Sequence, residues 1–555
     1  MSASPLFEKH KDTLEKAIAA SRSREYWTAY PEMPSPKVYG EDANKNGEVA
    51  FKGYLNKAFD LDLPGASGTV GGEKSPYGFD LGVTYPKVDV DQLVSAVEAA
   101  RKDWGRADVD TRAGICLEIL DRVNKRSFEM AYAVMHTTGQ GFMMAFQAGG
   151  PHAQDRGLEA IAYAYEDMKR TPAMAHWVKP QGKRDPLVMD KKFTIVPRGI
   201  GLVIGCSTFP TWNSYPGLFA DLVTGNGVIV KPHPGAVLPL AITVKIAREV
   251  LKEEGFDPNV ITLAVDDAAA PITKELALRP EVKLIDFTGS SAFGNWLEEN
   301  AKQAQVYTEK AGVNCIVIDS TDNFRGMIGN IAFTLSLYSG QMCTTPQNIF
   351  IPEGGIETDE GHKSFDEVAE AIAKGVEKFN SDDERAAAVL GAIQSDATMQ
   401  RLEKYAAGDN VLLAPRAVPM KGFDNARIRT PLILRATDDS SYTEELFGPI
   451  SFVVSTKDTD DSLKTVEASV KNHGAISFGI YSTSDEVLAK AEEVACEAGV
   501  AVSFNLTGGV FVNQTAAFSD FHATGANPAA NAALSDTAYV SNRYRVVQSR
   551  WHPKG

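Results

Sequence analysis

Residues 199–231, GIGLVIGCSTFPTWNSYPGLFADLVTGNGVIVK, contain the pattern on which the fold prediction rests. The run GIGLVIG is short and apolar, which is typical of a strand that is buried on both faces. The run YPGLFADLVTG predicts a helix that ends at Gly225, and GVIVK predicts a second strand. A strand, a helix and another strand in this order give two parallel strands joined by a crossover.

The same alternation continues along most of the chain. LPLAITVKIAREVLKEEG predicts a helix capped at Gly255, and ITLAV and VKLIDF predict further strands. A second alternating block runs from NCIVIDS through IFIPEGG, SFDEVAEAIAKGVEKF, PLILRAT, ISFVVST and ISFGIYS. Between Asp89 and about Thr171 the pattern is helical. The chain is therefore predicted to be an α/β protein whose mostly parallel sheets carry helices on both faces.

The two ends of the chain carry weaker signals. Residues 1–90 are mixed, and PEMPSPKVYGEDANKNGE and LPGASGTVGGEKSPYG are interpreted as loops because turn-forming residues are dense there. The final segment, AYVSNRYRVVQSRW, alternates polar and apolar residues like an edge strand. Its apolar face needs a partner, and a second subunit would supply one.

Composition and charge exclude several classes of protein. The 555 residues are too many for one core and predict two or three domains. The formal net charge of -16 makes the chain a poor general binder of nucleic acid or of anionic membrane surfaces. No segment approaches the roughly 20 apolar residues that span a bilayer. The charged N-terminus also lacks the apolar run of a signal peptide, so a cytoplasmic protein without membrane association is predicted.

Five cysteines are widely spaced and form no CxxC pair: Cys116, Cys206, Cys315, Cys343 and Cys496. This spacing predicts neither a disulfide framework nor a zinc site, and no metal is expected. Cys343 differs from the others because YSGQMCTTPQNIFI places it among small and polar residues, before an apolar run. A lone cysteine is more often an inert sulfur, so the surrounding motifs decide how Cys343 is interpreted.

Other candidate residues follow predicted strands, where α/β sheets bind ligands. Lys231 ends GVIVK, and Gly289 and Ser290 form a tight turn into a helix whose N-terminus offers amide groups to a phosphate. Glu309, in VYTEKAG, has the chemistry of a general base. Each position alone also has an ordinary structural explanation, as a surface lysine, a plain βα turn or a solvated loop charge.

In combination, VIVKP, FTGSSAFG, YTEKAG, SGQMC and EELFGP resemble the ordered motifs of the aldehyde dehydrogenase superfamily. That family has a strand ending in Lys-Pro, a Phe-Thr-Gly-Ser turn, a Glu before Gly-Gly, a Gly-Gln-x-Cys and a Glu-x-Phe-Gly-Pro. The resemblance covers about residues 90–550. It implies an aldehyde dehydrogenase-like α/β fold, with a Rossmann-type nucleotide-binding domain, an α/β catalytic domain and a β oligomerisation extension.

The resemblance also implies domain boundaries. It places an N-terminal extension at residues 1–85, the NAD(P)-binding domain at 86–310, the catalytic domain at 311–530, and oligomerisation strands at 178–198 and 536–555. Because members of this family form dimers and tetramers, a homodimer or a homotetramer is expected. The extension would be an extra helical layer, or it would shape the substrate entrance.

Catalytic roles follow from the same resemblance. Cys343 would attack the aldehyde carbon to give a thiohemiacetal, and loss of hydride to the nicotinamide would leave a thioester. Glu309 would activate the water that hydrolyses this thioester. Family members usually hold the oxyanion with an Asn, but counting back from Lys231 places Thr208 there, with Asn213 as the alternative donor. The loss of one oxyanion donor costs on the order of 100-fold in rate.

The resemblance assigns the cofactor contacts as well. Lys231 and Glu445 would hold the ribose hydroxyls, and Phe447 would pack beside the nicotinamide ribose. Gly289 and Ser290 would meet the pyrophosphate at the helix N-terminus.

NADP is favoured over NAD as the cofactor. Many NAD-preferring members carry Glu three residues after the lysine, whereas this chain has Pro234 there, so that Lys231 and His233 could pair with a 2′-phosphate. Asp266 and Asp267 oppose this preference, because they lie in a loop that is usually rich in glycine and would repel a phosphate.

The substrate prediction rests on a subgroup. The long N-terminal region, CSTFPTWN, SGQMCTTPQN and FHATGANPAANAALSD resemble the phenylacetic-acid degradation aldehyde dehydrogenases, the PaaN group. This resemblance implies a CoA-linked semialdehyde of ring-cleavage catabolism as the substrate. Two alternatives stay open. One is a CoA-acylating aldehyde dehydrogenase, which Glu309 disfavours. The other is a catalytically impaired cofactor-binding scaffold, which Thr208 favours and Cys343 disfavours.

Overall fold

Two parallel sheets form the centre of the structure, a computed structural model that describes residues 4–310, 312–438 and 441–553. Among these residues, one large sheet has five strands and the other has seven. All strands of the five-stranded sheet precede Lys310, and all strands of the seven-stranded sheet follow Gly312. The α/β fold that the alternating pattern predicts is confirmed.

The first part of the chain is mostly helical and packs into the same apolar core as the five-stranded sheet. Helix α1 packs along α5 and α8, and buries Leu14 and Ala17 there. The elements of this part are α1 (Pro5–Ser23), α2 (Pro36–Tyr39), α3 (Ala43–Tyr54), β1 (Ala66–Val70), β2 (Lys74–Ser75), β3 (Phe79–Asp80), β4 (Tyr85–Val88), α4 (Val90–Trp104), α5 (Val109–Lys125), α6 (Ser127–Thr138), α7 (Phe142–Gly149), α8 (Pro151–Lys169), β5 (Met174–Gln181) and β6 (Arg184–Pro197).

Two segments that the sequence predicts to be loops contain regular structure instead. Residues 31–48 contain α2 and the start of α3, and residues 63–78 contain β1 and β2. The reason is tertiary packing. A Cβ at Gly47 would lie 2.5 Å from a side-chain atom of α6, so this glycine allows α3 to approach α6 closely. Phe51 of α3 is 2% exposed and stacks on His136 with the ring centres 4.8 Å apart.

The five-stranded sheet is parallel throughout, with the strand order β11-β10-β7-β8-β9. Strand β7 lies in the middle, with β8 on one side and β10 on the other. The carboxyl ends of β7, β8 and β10 therefore border the crevice where such sheets bind dinucleotides. The elements are β7 (Ile200–Ile204), α9 (Pro210–Val223), β8 (Gly227–Lys231), α10 (Leu238–Glu253), a 3₁₀ turn (Pro258–Val260), β9 (Ile261–Leu263), α11 (Thr273–Ala277), β10 (Val282–Thr288), α12 (Ser291–Asn300) and β11 (Gln305–Glu309).

The seven-stranded sheet has the order β16-β17-β18-β14-β12-β19-β20 and is parallel except for β16 at its edge. The elements of this part are β12 (Cys315–Ile318), β13 (Ser320–Thr321), α13 (Phe324–Ser336), a 3₁₀ turn (Leu337–Gly340), β14 (Asn348–Pro352), β15 (Glu357–Thr358), α14 (Phe365–Phe379), α15 (Asp383–Leu390), α16 (Asp396–Ala406), β16 (Val411–Leu413), β17 (Leu432–Arg435), β18 (Ile450–Thr456), α17 (Thr459–His473), β19 (Ser477–Tyr481), α18 (Asp485–Ala498) and β20 (Ala501–Phe504). The long loop after β20 returns to the carboxyl end of β11, where Lys310 N donates to Ala529 O at 2.6 Å.

The C-terminal segment forms α19 (Thr537–Ser541) and β21 (Tyr544–Trp551). Strand β21 pairs antiparallel with β6, and β6 pairs antiparallel with β5. Residues 178–198 thus contain the end of β5 and all of β6, rather than one strand, and residues 536–555 begin with a helix. Both segments meet in one three-stranded sheet, because the hairpin turn at Gly182 folds β6 back onto β5.

A buried charge cluster attaches this C-terminal segment to the first sheet. Arg543 is 0% exposed and donates to Asp221 Oδ1 at 2.7 Å and to Asp286 Oδ2 at 2.8 Å. Its guanidinium also lies 4.2 Å from the ring centre of Tyr539. Asp221 belongs to α9 and Asp286 to β10, so the cluster joins distant parts of the chain. Breaking a buried ion pair of this kind costs about 3–5 kcal/mol.

Two expectations from composition can be compared with the structure. No helix in the described ranges is long and apolar enough to cross a membrane. All five cysteines are free thiols in the structure.

Candidate active site

Cys343 follows a turn whose backbone is unusual. Tyr338 and Ser339 have φ angles of 51° and 49°, a left-handed conformation that costs a non-glycine residue about 1 kcal/mol or more. Gly340 continues the turn with φ at 62°. A Cβ there would lie 2.4 Å from the carbonyl oxygen of Gly448, so only glycine fits. The turn ends α13 and leads through Cys343 into β14.

Side chains from other elements hold this turn in place. The Tyr338 hydroxyl donates to Thr138 O at 2.6 Å, which ties the turn to α6. The Asn314 amide group donates to Cys343 O at 2.7 Å, and its oxygen accepts from Ile476 N at 2.8 Å. Because such contacts over-determine the backbone, Cys343 has a defined position.

Glu309 lies at the end of β11 with its carboxylate buried. Its backbone oxygen accepts from Gly289 N at 3.0 Å, which joins β11 to the turn after β10. Oε2 accepts from Asn213 Nδ2 at 3.0 Å, and Oε1 lies 3.1 Å from His522 Nε2. Glu309 and Asn213 are both candidate residues from the sequence, and the structure brings their side chains into contact.

His522 completes this pocket, and sequence reasoning missed it. Its Nε2 lies 3.5 Å from Cys343 Sγ as well as 3.1 Å from Glu309 Oε1. The side chain is 2% exposed. The surrounding sequence, SDFHATGAN, is a loop without periodicity, and a single histidine there carries no spacing signature. Only the return of the long loop after β20 shows that this histidine faces Cys343.

Burial raises the pKa of both predicted catalytic groups, whereas their neighbours lower the pKa of Glu309 and raise that of Cys343 further. Burial raises the pKa of Glu309, but electrostatic attraction to His522 and hydrogen bonds from His522, Cys343 and Asn213 outweigh it, so the pKa lies below its usual value. Removal from water raises the pKa of the Cys343 thiol well above its usual value, and the Glu309 charge raises it further. In this arrangement Glu309 is a carboxylate and Cys343 is a protonated thiol.

The predicted oxyanion donors are placed differently. The Thr208 carbonyl accepts from Gln140 Nε2 at 2.8 Å, and the Thr208 amide and hydroxyl lie against the sulfur of Cys206. Burial raises the pKa of Cys206 to about 11 despite these hydrogen bonds. Asn213 contacts both Cys206, at 3.7 Å, and Glu309. The structure therefore places Asn213, rather than Thr208, against the predicted general base.

Lys231 ends β8 and is almost fully buried. Its Nζ donates to Pro232 O at 2.8 Å and pairs with Asp266 Oδ1 at 2.7 Å. His233 is exposed, and its Nδ1 accepts from Gly235 N at 3.1 Å, which favours a neutral ring. The lysine charge is thus already paired with a carboxylate, and the histidine adds no second positive charge.

The turn at Gly289 and Ser290 lies across the crevice from Lys231. The Ser290 hydroxyl accepts from Phe293 N at 3.4 Å and caps α12, so it is the helix amides that remain for an anion. Lys231 ends β8 and Gly289 follows β10, on the two sides of the central strand β7. A positive side chain and a helix N-terminus at such a crossover point fit a dinucleotide with its pyrophosphate at the helix.

Glu445 and Phe447 lie in the loop before β18. Glu445 Oε1 accepts from Gly312 N at 3.4 Å, and burial raises the pKa of this carboxyl to about 7. The Glu445 charge also contributes to the raised pKa of Cys343, so the two groups are close enough to interact electrostatically. The Phe447 carbonyl accepts from Arg401 Nη1 at 2.7 Å, which holds the loop on α16.

Glu309, Cys343 and His522 are also residue types that occur in zinc sites, and one atom of each lies within 4.8 Å of the others. We assign the cluster to thiol chemistry. A cation bound at Sγ would occupy the lone pair with which the thiolate attacks a substrate, and Nε2 is already shared between Sγ and Oε1.

Sequence comparison places these residues in a known context. The model of the aldehyde dehydrogenase family matches residues 83–528. N-succinylglutamate 5-semialdehyde dehydrogenase from Burkholderia multivorans (strain ATCC 17616 / 249) is 26% identical over 394 residues, which are 69% of this chain and 74% of that protein. A 2-aminomuconic 6-semialdehyde dehydrogenase from a Pseudomonas species is 25% identical over 390 residues, which are 66% of this chain and 74% of that protein.

Solved structures agree with this match. The crystal structure of an NAD-dependent aldehyde dehydrogenase from Burkholderia multivorans is 60% identical, with a TM-score of 0.98 and coverage of 100% of both chains. A 1-pyrroline-5-carboxylate dehydrogenase from Thermus with bound NAD is 19% identical, with a TM-score of 0.74 and coverage of 95% of this chain and 99% of that one. At that identity the second likeness shows a shared fold alone.

Proposed function

Because this chain belongs to the aldehyde dehydrogenase family and is an oxidoreductase of that kind, we propose that it oxidises a semialdehyde to the carboxylic acid through a covalent intermediate on Cys343. The observation that carries this proposal is the single pocket formed by Cys343, Glu309 and His522 beside the dinucleotide crevice. A nucleophile and a base within hydrogen-bond reach are the parts that acyl-transfer chemistry requires.

The chain supplies two chemical groups for two successive steps. The Cys343 thiolate attacks the carbonyl carbon and forms a thiohemiacetal, and oxidation of that carbon gives a thioester. The Glu309 carboxylate then removes a proton from water, which attacks the thioester and releases the acid. A nicotinamide cofactor, when bound, accepts the hydride in the oxidation step. Placement of Glu309 beside Cys343 supports hydrolysis over transfer of the acyl group to CoA.

We propose NAD as the preferred cofactor, in place of the NADP favoured by the loop sequence. Asp266 pairs with Lys231 at 2.7 Å and would repel a 2′-phosphate, whereas a carboxylate beside a lysine suits the hydroxyls of an unmodified ribose. The 60% identical structure, which is described as NAD-dependent, supports the same preference. The expected ratio of kcat/KM for NAD over NADP exceeds ten in the wild type and falls in Asp266→Asn.

The proposed substrate carries a negative group in addition to the aldehyde. The relatives described as acting on N-succinylglutamate semialdehyde and 2-aminomuconic semialdehyde support a semialdehyde with a carboxylate. The CoA-linked semialdehyde of phenylacetate ring cleavage, suggested by the loop sequences, belongs to this class because CoA carries phosphates.

The test measures NAD(P)H formation with a panel of neutral aldehydes, short semialdehydes and CoA-linked semialdehydes. Wild type is compared with Cys343→Ser, and Cys496→Ser serves as the matched control because Cys496 is an exposed thiol far along the chain. We expect Cys343→Ser to lose turnover by more than about 1,000-fold and to keep NAD binding, while Cys496→Ser retains wild-type rates.

Two further measurements separate the alternatives. Glu309→Gln should release one burst of NADH per site and then stall, because the thioester forms but is not hydrolysed. Formation of acyl-CoA when CoA is added would instead favour a CoA-acylating enzyme. Equal turnover in wild type and Cys343→Ser would rule out the nucleophile assignment. Cofactor binding without turnover on any aldehyde would favour a scaffold.

A further inference from the structure

His522 places one nitrogen between the two groups that do the proposed chemistry. Its Nε2 is 3.5 Å from Cys343 Sγ and 3.1 Å from Glu309 Oε1. His522 is separated from these residues by 179 and 213 positions in the chain, so no local turn produces the contact. A ring nitrogen at this distance from a sulfur is within reach of the thiol proton.

The ring is held in this orientation from two sides. Trp212 of α9 packs edge-on against it with the ring centres 4.6 Å apart. Its other nitrogen, Nδ1, lies 3.5 Å from the Thr515 hydroxyl, which accepts when Nδ1 carries a proton. The loop that carries His522 contains left-handed backbone at Phe518 and Ala523, with φ angles of 66° and 62°. Such strain in non-glycine residues is found where a structure fixes a functional group.

The charges around Cys343 oppose its ionisation, with one exception. Glu309, Cys206 and Glu445 each add to the raised pKa of the thiol, after burial itself. Arg156 lies 5.2 Å from the Trp212 ring centre, but its guanidinium donates to Glu159 Oε2 at 2.8 Å, so its charge is already paired with a carboxylate. Among the described groups in contact with Sγ, His522 is the one that becomes positive on accepting a proton. An imidazolium in this position would stabilise a thiolate on one side and the Glu309 carboxylate on the other.

We propose that His522 accepts the Cys343 proton, so that aldehyde attack uses a Cys–His pair and leaves Glu309 free for the water step. The S–H bond breaks, the electron pair stays on sulfur, and an N–H bond forms at Nε2. No redox change accompanies this transfer. When the thiolate bonds to the carbonyl carbon, the negative charge moves to the carbonyl oxygen, and the imidazolium remains beside Glu309.

This inference rests on the proposed function for its role in turnover, and it divides the work between two bases. If Glu309 took the thiol proton, it would be a neutral acid when the thioester forms and would have to lose that proton before activating water. With His522 as the first acceptor, Glu309 keeps its charge throughout. The two proton transfers can then be disabled separately by changing His522 or Glu309.

The experiment measures the thiol itself and needs no aldehyde. Full-length protein in a Cys496→Ser background is alkylated with iodoacetamide from pH 5 to 10, with and without saturating NAD, and modification of Cys343 is followed by mass spectrometry. His522→Gln and His522→Asn are compared with the parent. His473→Asn, a change at an exposed histidine at the end of α17, is the matched control.

The parent and His473→Asn should react measurably at pH 7, because His522 takes the thiol proton as the sulfur attacks the reagent. In both His522 variants the rate at pH 7 should fall at least tenfold, and appreciable reaction should begin only at higher pH. Turnover at pH 7 should fall by about 100-fold or more, the usual effect of losing a positioned base.

His522→Gln distinguishes proton transfer from simple positioning. A glutamine amide can donate to Glu309 in place of Nε2 but cannot take a proton. If His522→Gln shows the same pH dependence of Cys343 alkylation as the parent, or if all variants show the same dependence, the proposal is wrong. Unchanged NAD binding and thermal midpoint in the same samples show that the fold persists. A parent protein with His522-dependent alkylation that oxidises no aldehyde would overturn the proposed function and still support the proton transfer.

Discussion

Thr208 lies in the loop before α9 and Asn213 in the first turn of α9, and the two residues contact different groups. Asn213 Nδ2 donates to Glu309 Oε2 at 3.0 Å and its oxygen lies near the Cys206 sulfur. Thr208 uses its carbonyl to hold Gln140 and its hydroxyl to contact Cys206. At the scale of single residues, we therefore propose Asn213 as the oxyanion donor, because its amide group lies against Glu309 beside Cys343 whereas Thr208 lies against Cys206.

We expect Asn213→Ala to lose on the order of 100-fold in kcat/KM, because it removes an oxyanion donor and a hydrogen bond to Glu309 together. Thr208→Val should lose less than about tenfold, since it keeps the carbonyl that accepts from Gln140. Steady-state kinetics on one good aldehyde measures both. A larger loss for Thr208→Val would identify Thr208 as the oxyanion donor, as counting back from Lys231 predicts.

At the scale of secondary-structure elements, the N-terminal segment supports the loop that carries His522. Arg24 Nε donates to Ser519 O at 3.2 Å, and its guanidinium lies 4.0 Å from the Phe521 ring centre. Trp27 packs against Phe518 with the ring centres 5.0 Å apart. Residues before 30 are thus more than an extra layer, because they contact residues 518–521 just before His522.

Removal of this support should weaken catalysis without touching the reacting groups. We expect Arg24→Gln to lower kcat/KM by about tenfold, since hydrogen bonds from a charged group contribute about 1.5–3 kcal/mol. Arg22→Gln is the matched control, because Arg22 pairs with Glu166 on the exposed side of α1. It should change kcat/KM less than about twofold. Similar rates for the two variants would contradict a role for the N-terminal segment.

A buried carboxylate attaches α1 to α5. Glu118 of α5 is 5% exposed and accepts from Lys9 Nζ at 2.5 Å and from Arg122 Nε at 3.0 Å, and His10 Nε2 lies 2.8 Å from it. Burial alone raises the pKa of Glu118, but hydrogen bonds from these partners lower it to about 2. Docking of α1 is therefore coupled to the ionisation of Glu118.

The pH dependence of this docking has a definite sign. A pKa lowered by folding gives stability that is complete above the unfolded value near 4.3 and is lost as pH falls toward about 2. We expect protection of α1 amides in hydrogen exchange to fall by about 1 kcal/mol between pH 6 and 3.5 in wild type, after correction for intrinsic rates. In Glu118→Gln, the protection of α1 amides should already be lower at pH 6 and should not show this fall with pH. Parallel curves for the two proteins would contradict the coupling.

At the scale of the whole molecule, the three-stranded sheet of β5, β6 and β21 stands apart with apolar side chains exposed. Val178, Leu187, Val546 and Val547 are 49%, 45%, 41% and 52% exposed. Both outer edges of this sheet also lack a strand partner within the described residues. Exposed edges and apolar side chains of this kind favour pairing with another subunit, so the predicted homodimer or homotetramer remains our expectation.

A charge placed on this sheet should disrupt the assembly. Val547→Glu should raise the dissociation constant of the subunits by at least about 100-fold, because a symmetric interface receives the added charge twice. Val49→Glu is the control, since Val49 is 62% exposed on α3, away from this sheet. Analytical ultracentrifugation gives the masses. A wild type that sediments as a monomer would contradict the predicted oligomer.

Much of the fold was accessible to prediction because its signals are local. The apolar runs GIGLVIG and GVIVK, and the glycines and prolines that end neighbouring elements, depend only on residues within a few positions. Residues 31–48 were not accessible in this way. Their glycine and asparagine residues indicate a turn locally, but the close contact of Gly47 with α6 and the burial of Phe51 make part of the segment a helix.

The sequence by itself predicted the family, the α/β architecture and the pair Cys343 and Glu309, because the ordered motifs that carry the resemblance are short runs of neighbouring residues. Only the tertiary structure decided that Asn213 contacts Glu309 and that Lys231 is paired with Asp266. It also decided that His522 lies between the Glu309 carboxylate and the Cys343 thiol. These contacts join loops distant in the chain. Their distances depend on how two sheets and the returning C-terminal loop pack, which no local pattern of residues encodes.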